Sequence, residues 1–362
     1  MKTITLLKSL VVSILIGTGI FGANAFAEVL TKKEHKEFTI TNDSKLIIDN
    51  RFGLISIENW DQNSISIDVE ITVEHSSRDR AERMLSAIQV TLEQQGNDIR
   101  GITLIDEKLM KSFNNFNFGS STKELKIDYR IKMPSHVDVE LKNKFGDIFI
   151  DQLTGHSNII LKYGNLKANR IMYGSDDPLS RITLGYGNAS IDELDWMRFD
   201  VKYGNLEIVK AKAIVIMSKY TNVSVNELSS LVVESKYDTY KIGKAHNIVG
   251  TSGYTNYKLG WLGKQLDIES KYGDVRIESV ANNFNSISFV GSYCSIYAPI
   301  PAEVSYNING EVSYGGISYN DPSRVSRIDS NNKISVNGTV GLDEGANGQV
   351  KIRVKYGSAN LK

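Results

Sequence analysis

The stretch Val201–Ile208 reads VKYGNLEI, and variants of it recur downstream as SKYTNVSV (Ser218–Val225), SKYDTYKI (Ser235–Ile242), SGYTNYKL (Ser252–Leu259) and SKYGDVRI (Ser270–Ile277). The leading tyrosines of successive copies are evenly spaced, at Tyr203, Tyr220, Tyr237, Tyr254 and Tyr272. A nearly fixed period of this kind is typical of solenoid proteins, in which each repeat is one turn stacked on the previous one. The array therefore predicts an all-β, single-chain β-solenoid with β-helix-like turns of roughly 17–21 residues.

Each copy has the same internal order. A small or apolar residue stands two positions before the tyrosine, and a lysine usually lies between them. Residues that favour turns, such as Gly204 and Asn205, follow the tyrosine. Alternating apolar residues such as Leu206 and Ile208 come next, and this period of two indicates strand rather than helix. Each copy thus predicts a strand, a corner and a second strand, with one face of each strand buried.

Further copies lie on both sides of this array. The aromatic residues at the leading position predict a structural ladder, and they are Phe145, Tyr163, Tyr186, Tyr203, Tyr220, Tyr237, Tyr254, Tyr272, Tyr293, Tyr314 and Tyr356. The spacing from Tyr314 to Tyr356 is twice that of the two spacings before it, so the sequence predicts a degenerate turn near Lys333–Val336. Asn50–Ile57 resembles an early copy of the same motif.

The aromatic ladder has two interpretations. Each ring shares the parity of the apolar or small residue two positions before it, which predicts that the rings are buried and line the core. The alternative is an exposed aromatic strip that stacks on sugar rings. The asparagines that follow the rings predict a ladder of side-chain amides at the corner, and they are Asn165, Asn188, Asn205, Asn222 and Asn256.

A column of lysines directly precedes the aromatic position. Its members are Lys144, Lys162, Lys202, Lys219, Lys236, Lys271 and Lys355. One interpretation is a solvated face, balanced by nearby carboxylates, that also protects sheet edges from aggregation. The other is a binding face for acidic glycans or another anionic surface. The sequence leaves both open.

The N-terminal segment Met1–Ala27 predicts a secretory signal peptide. Lys2 and Lys8 precede the mostly apolar run Leu10–Phe21, and Ala25-Phe26-Ala27 matches an A-x-A cleavage site. A transmembrane anchor is the alternative, but the apolar run is shorter than a bilayer requires. We therefore expect an exported chain, at the cell surface or in the periplasm, with no membrane span after the signal peptide is removed.

Residues 28–134 predict an N-terminal β segment that carries one helix at about 77–89, begun by Ser76 or Ser77, and that caps the solenoid. Residues 112–122 predict an exposed polar and aromatic loop. The repeat array then occupies 135–362. We expect an uncovered terminal turn at 356–362 that pairs edge to edge with another copy of the chain.

The composition and motifs favour a protein without catalytic activity or cofactor. The chain has 42 basic and 42 acidic side chains, which makes no case for nucleic acid as a partner. The five histidines are scattered without metal-ligand spacing, and the single cysteine, Cys294, predicts a packed and unreactive thiol. Asp176-Asp177 and the group Asp192, Glu193 and Asp195 are the carboxylates that a glycoside hydrolase would need, but they form no clear cluster in the sequence.

The repeated Lys-Tyr-Gly-Asn/Asp-Ile/Leu-x-Ile pattern, the predicted signal peptide and the lead-in YRIKMP (Tyr129–Pro134) resemble the exported "putative adhesin" domain family that is common in Bacteroidetes. The resemblance covers most of the mature chain and is strongest over 125–362. It implies a single-chain β-solenoid in an adhesin-type role and brings no catalytic residues. The chain departs from the family's Gly corner at Thr221, Asp238 and Thr255.

Together, these features predict an exported, non-enzymatic β-solenoid that acts in adhesion or cell-envelope interaction and binds a surface glycan or an envelope or host protein through its repeated outer face. Two other functions stay open at this point. One is a periplasmic accessory for envelope maintenance or signalling that binds a protein partner. The other, weaker, is a glycan-processing β-helix enzyme.

Overall fold

The computed structural model describes residues 28–106, 108, 122–174, 179–343 and 345–362. The predicted signal peptide, the predicted loop at 112–122 and the pair Asp176-Asp177 lie almost entirely outside these ranges. The described chain is all-β with a short helix. Contacts between Cα atoms divide it into two compact units, with the division after Asn169. The sequence-based boundary at 134/135 stays a prediction.

Unit 1 contains eleven strands and helix α1 within the described ranges. In chain order they are β1 (Glu28–Thr39), β2 (Lys45–Arg51), β3 (Ile55–Asn59), β4 (Ser64–His75), α1 (Arg78–Ser86), β5 (Ile88–Gln95), β6 (Asp98–Ile105), β7 (Thr122–Met133), β8 (Asp138–Lys144), β9 (Ile148–Leu153), β10 (Ser157–Lys162) and β11 (Leu166–Ile171), inside which the division falls.

Unit 1 combines antiparallel and parallel pairing. Strand β4 pairs antiparallel with β1 and β7, and β5 with β6. Strand β2 pairs in parallel with both β6 and β8, and β3 with both β7 and β9. Strands β2 and β3 flank Phe52, and β8 and β9 flank Phe145, so the early copy at Asn50–Ile57 is a turn paired directly with the first copy of the array. The long segment of chain between these two copies supplies β4–β7 and α1.

Helix α1 ends three residues earlier than the sequence predicted, because Ile88 and Gln89 already belong to β5. Ser77 is the N-cap residue, as expected, although its side chain makes no capping hydrogen bond. The apolar face of the helix is narrow: Ala81 and Met84 are buried against Val73 of β4. The helix therefore packs on the antiparallel part of unit 1.

Unit 2 is built of strands and corners. Its strands are β12 (Arg181–Gly185), β13 (Asn188–Lys236), β14 (Thr239–Gly253), β15 (Asn256–Lys271), β16 (Val275–Val280), β17 (Ser286–Ser292), β18 (Ile296–Tyr297), β19 (Tyr306–Ser313), β20 (Ile317–Ser318), β21 (Arg324–Ser330), β22 (Lys333–Val340), β23 (Gly348–Lys355) and β24 (Ala359–Asn360). The long run β13 bends at two corners, at Tyr203 and Tyr220, where φ is positive.

The sequence period equals the pairing register in the centre of unit 2. Strands β13 and β14 pair in parallel, and Asn222 lies opposite Thr239, which is the spacing from Tyr220 to Tyr237. Strand β15 pairs with β14 at the same offset as far as Ala245, which lies opposite Leu262. From Asn247, which lies opposite Gln265, the offset is one residue larger. The extra residue that lengthens the spacing from Tyr254 to Tyr272 is thus a bulge between Leu262 and Gln265.

The C-terminal strand lies inside the sheet, which corrects two predictions. Strand β23 pairs in parallel with β17 on one side and with β19 on the other, and β24 lies likewise between β18 and β20. The terminal turn is therefore not an uncovered edge. The segment near Lys333–Val336 is not a degenerate turn either, because β22 runs antiparallel to β19 and β21. The long spacing from Tyr314 to Tyr356 arises because the chain forms β21 and β22 after β20. It then returns as β23, which lies between β17 and β19.

The corners at Thr221, Asp238 and Thr255 carry a buried polar network where most other copies of the repeat have glycine. The Asp238 carboxylate accepts hydrogen bonds from the Ser218 hydroxyl (2.7 Å) and from the backbone N–H groups of Thr221 (2.7 Å) and Lys236 (3.1 Å). Burial raises the pKa of Asp238 above its usual value. These buried polar groups are hydrogen-bonded to one another. The three copies that lack glycine after the tyrosine all have serine two positions before it.

Candidate binding surface

Twelve aromatic residues adopt the left-handed backbone conformation, with φ between 54° and 62°. They are Phe52, Phe145, Tyr163, Tyr186, Tyr203, Tyr220, Tyr237, Tyr254, Tyr272, Tyr293, Tyr314 and Tyr356. Bulky residues rarely occupy this region, because Cβ approaches the following carbonyl oxygen. Its repetition at every copy shows that the ring position is the corner itself and not part of a strand.

The corner conformation turns the rings outward, so the prediction that they are buried is wrong. Ten of the twelve rings are 39–53% exposed, whereas Phe52 and Tyr272 are half-buried. The residue two positions earlier, such as Val201 or Ser218, is buried as predicted. The prediction from side-chain alternation was wrong at the tyrosine because a residue in the left-handed conformation interrupts the alternation of side chains between the two faces of a strand.

Where glycine follows the ring, close packing of neighbouring corners leaves no room for a side chain. A Cβ on Gly204 would lie 1.8 Å from the carbonyl oxygen of Gly187, and one on Gly146 would lie 1.9 Å from that of Gly53. The next residue points outward and forms part of the predicted amide ladder. The Asn205 amide donates to the side-chain oxygen of Asn188 (2.7 Å), and Asn222 donates to that of Asn205 (3.0 Å).

The rings form a stack in each unit. In unit 1, Phe52, Phe145 and Tyr163 lie face to face, with centroids 5.4 and 5.0 Å apart. In unit 2 the rings stack with centroids 4.6–5.1 Å apart in the order Tyr186, Tyr203, Tyr220, Tyr237, Tyr254, Tyr272, Tyr293, Tyr356 and Tyr314. We call these nine rings the corner stack. In the stack, Tyr356 lies between Tyr293 and Tyr314 because β23 lies between β17 and β19.

The corner stack presents edges rather than faces to solvent. Its rings are nearly parallel, with interplanar angles of 3–21°, so neighbours cover both faces of an internal ring. An interpretation in which sugar rings lie flat on these tyrosines does not fit this arrangement. The surface instead offers ring edges and phenol groups, repeated at the spacing of paired strands.

The predicted lysine column borders the corner stack. The ammonium groups of Lys219, Lys236, Lys271 and Lys355 lie 5.2–5.5 Å from the centroid of the ring that follows each in sequence. In unit 1, Lys144 lies 4.8 Å from the Phe145 ring.

Lys162 and Lys202 are exposed. Across the described residues, no member of the lysine column has a carboxylate within 4.0 Å.

The lysine column is not continuous in unit 2. The strand register aligns Lys236, Gly253, Lys271, Ser292 and Lys355 on successive turns. Ammonium groups in this part therefore recur on every second turn, about 10 Å apart. This separation reduces their mutual repulsion and leaves space for a ligand group between them.

Stacking offsets the strain of the corners. A left-handed non-glycine residue costs about 1–2 kcal/mol, a stacked aromatic pair contributes about 0.5–1.5 kcal/mol, and an exposed cation–π contact adds about 0.5–1 kcal/mol. The terms are of similar size, so each corner is stable because its neighbours are stacked.

We expect Tyr220→Ala to destabilise the protein by about 2 kcal/mol, because it removes two ring contacts and keeps the strained backbone. Tyr220→Gly removes the same contacts but relieves the strain, and it should be about 1 kcal/mol more stable than the alanine variant. Val232→Ala, at an exposed site on the same strand, is the control and should change stability by less than about 0.5 kcal/mol. Urea unfolding measures all three, and equal stability of the Ala and Gly variants would contradict a strained corner.

Two of the candidate carboxylates that the structure describes take part in ion pairs. Glu193 pairs with Arg170 (3.1 Å), and the buried Asp195 pairs with Lys212 (2.7 Å). No group of three or more His, Cys, Asp or Glu side chains that could hold a metal ion occurs in the described ranges. Cys294 is buried, and burial raises the pKa of its thiol. Within the same ranges, no helix is long and apolar enough to cross a membrane.

Sequence comparisons return no relatives of this chain. No family model matches it, and no curated protein matches it. Membership of the family named above on sequence resemblance stays a prediction.

Solved structures give distant matches. A "putative cell adhesion protein" from Clostridium sporogenes is 12% identical, and the match covers 92% of this chain and 99% of that one with a TM-score of 0.19. A "putative adhesin" from Bacteroides fragilis is 14% identical, with 74% and 96% covered and a TM-score of 0.34.

A "putative lipid binding protein" from Parabacteroides distasonis is 11% identical, with 72% and 94% covered and a TM-score of 0.34. At these identities and TM-scores the matches carry no argument about function.

Proposed function

We propose that the chain is an exported, non-enzymatic β-solenoid that acts as an adhesin and binds through the repeated outer face of its corners. The observation that carries this proposal is the corner stack. Its nine rings all lie at strained corners, eight of them are 39–53% exposed, and four have a lysine ammonium group 5.2–5.5 Å from the ring centroid. Strained backbone conformations persist where the surrounding structure maintains them, and they occur preferentially at functional sites.

The parallel pairing of unit 2 supports the solenoid part of the proposal. Successive turns repeat at a nearly constant interval and place equivalent side chains in register. A ligand with its own repeat, such as a surface glycan, or an extended envelope or host protein would meet a phenol group at each turn and, from Lys236 to Lys355, an ammonium group at every second turn. Affinity would then accumulate from many weak contacts.

Protease shaving of intact native cells, followed by immunoblotting, tests the adhesive role. An outer-envelope integrity marker is the control. Loss of the mature protein from intact cells is the expected result. Full protection until the envelope is opened would overturn the proposal and indicate a periplasmic protein.

The contribution of the corner face is tested on purified protein. A variant with Lys219, Lys236, Lys271 and Lys355 changed to Glu should lose binding to the cell or matrix surface that the native chain recognises. A control with the same charge change, in which the exposed Lys210, Lys244, Lys351 and Lys362 are replaced by Glu, should retain it. Loss of binding in both variants to the same extent would show that net charge, not the corner face, is responsible.

A further inference from the structure

A groove lies in unit 2 beyond the corner stack, on the strands that follow it. It is an open concavity of about 670 Å³ that extends from the turn that begins at Tyr186 to the turn that begins at Tyr272. Its basic side is formed by Lys241, Lys258 and Arg276, which stand four residues after the corner tyrosines of three consecutive turns.

The strand register brings the three cations together. Lys241 pairs with Lys258, and Lys258 pairs with Arg276, so the three side chains lie side by side on one face. All three are exposed, and in the described part of the chain none has a carboxylate within 4.0 Å. The Arg276 guanidinium lies 4.5 Å from the Tyr297 ring, which holds it in place.

Two glycines line the concavity. Gly243 and Gly260 occupy neighbouring turns, and a Cβ on either would meet a backbone carbonyl oxygen at 2.4 or 2.6 Å. The backbone is therefore closely packed where side chains are missing. Val209 adds exposed apolar surface to the lining. Glu207 and Glu278 also line the groove, and both are exposed.

The spacing of the cations points to a polymeric anion. Paired strands are about 4.8 Å apart, so Lys241 and Arg276 are roughly 10 Å apart. Aligned like charges repel one another, and an anionic chain laid across the strands would relieve this repulsion at every turn. The groove is open along its length, as a linear ligand needs, and its apolar lining can contact the faces of sugar rings.

The lining argues against single-stranded nucleic acid. Such sites combine cations with aromatic side chains on which bases stack. No aromatic residue is among those that line this groove. The net charge of the chain is also zero, which provides no long-range attraction for a nucleic acid.

We propose that this groove binds a linear acidic polysaccharide, whose carboxylates pair with Lys241, Lys258 and Arg276. The inference uses the geometry of the groove and does not depend on the corner stack or on the cellular location of the protein. Failure of polysaccharide binding would leave the adhesive role untouched, and protection from protease shaving would leave this site untouched.

The test is fluorescence anisotropy with labelled polygalacturonate oligosaccharides and the full mature chain at low and at physiological ionic strength. Replacing Lys241, Lys258 and Arg276 with Gln should weaken binding at least tenfold. The control, with Lys210, Lys244 and Lys351 replaced by Gln, removes the same charge outside the groove and should weaken binding less than twofold. Thermal unfolding verifies that both variants are folded.

A gain-of-binding variant provides an independent check, because a folding defect cannot mimic it. Ser224 pairs with Lys241 on the preceding turn, so Ser224→Lys extends the row of cations to four and should tighten binding at least threefold. Equal losses in the groove and control variants, or no binding by the native chain, would overturn the proposal. So would binding of an equally long single-stranded DNA as tightly as the polysaccharide.

Discussion

Ile352→Asp is expected to unfold the C-terminal part of unit 2, whereas Lys351→Asp on the same strand leaves it folded. Ile352 is fully buried and lies in register between Phe289 of β17 and Gly310 of β19. Truncating a buried isoleucine costs about 2–5 kcal/mol, and placing a carboxylate in the core adds a further penalty. Lys351 is exposed, so its replacement should cost less than about 0.5 kcal/mol.

Hydrogen exchange monitored by mass spectrometry measures this effect strand by strand. Because β23 joins β17 to β19, Ile352→Asp should accelerate exchange in both neighbours as well as in β23 itself. Removing residues 348–362 should have the same effect. If β17 and β19 kept their protection in both variants, β23 would not be an internal strand.

Gly204→Ala is expected to destabilise the protein by about 3 kcal/mol or more. The added Cβ would lie 1.8 Å from the carbonyl oxygen of Gly187, a contact with backbone that no side-chain rotation can relieve. To admit the methyl group, neighbouring turns must separate, and this also separates the rings of Tyr186 and Tyr203. The cost therefore includes a local loss of aromatic stacking.

Gly316→Ala is the matched control. A Cβ at Gly316 meets no atom within 4 Å, so its stability should stay within about 0.5 kcal/mol of the native protein. Urea unfolding compares the two variants, and tyrosine fluorescence reports the stack. Similar stability of the Gly204 and Gly316 variants would show that corners can separate without cost.

The sequence alone determined the local architecture of the repeats. A period of two within each copy identified the strands, and the period between copies equals the offset at which β13 and β14 pair. This agreement has a simple cause, since equivalent residues of identical turns must lie side by side. Short-range patterns of apolar and polar residues also predicted the buried positions within the strands, the helix near Arg78 and the copy around Phe52.

The exposure of the corner stack was not predicted, although the sequence contains a signal for it. Val201 and Leu206 are both buried, yet they are five residues apart. In a regular strand an odd spacing places two side chains on opposite faces. The alternation must therefore break between them, and the structure shows that it breaks at Tyr203 rather than after it.

The tertiary structure alone decided the order of the last turns and the composition of the groove. The longer spacings after Tyr272 are compatible with several strand pairings. The entropic cost of closing a loop depends only weakly on its length, so these pairings differ little in that cost. The sequence therefore does not select the position of β23 between β17 and β19. The groove likewise brings together Lys241, Lys258 and Arg276 from three turns, and two glycines at equivalent positions line it. Period and parity specify which residues align, but packing between strands decides which aligned residues face solvent and form a surface that can bind.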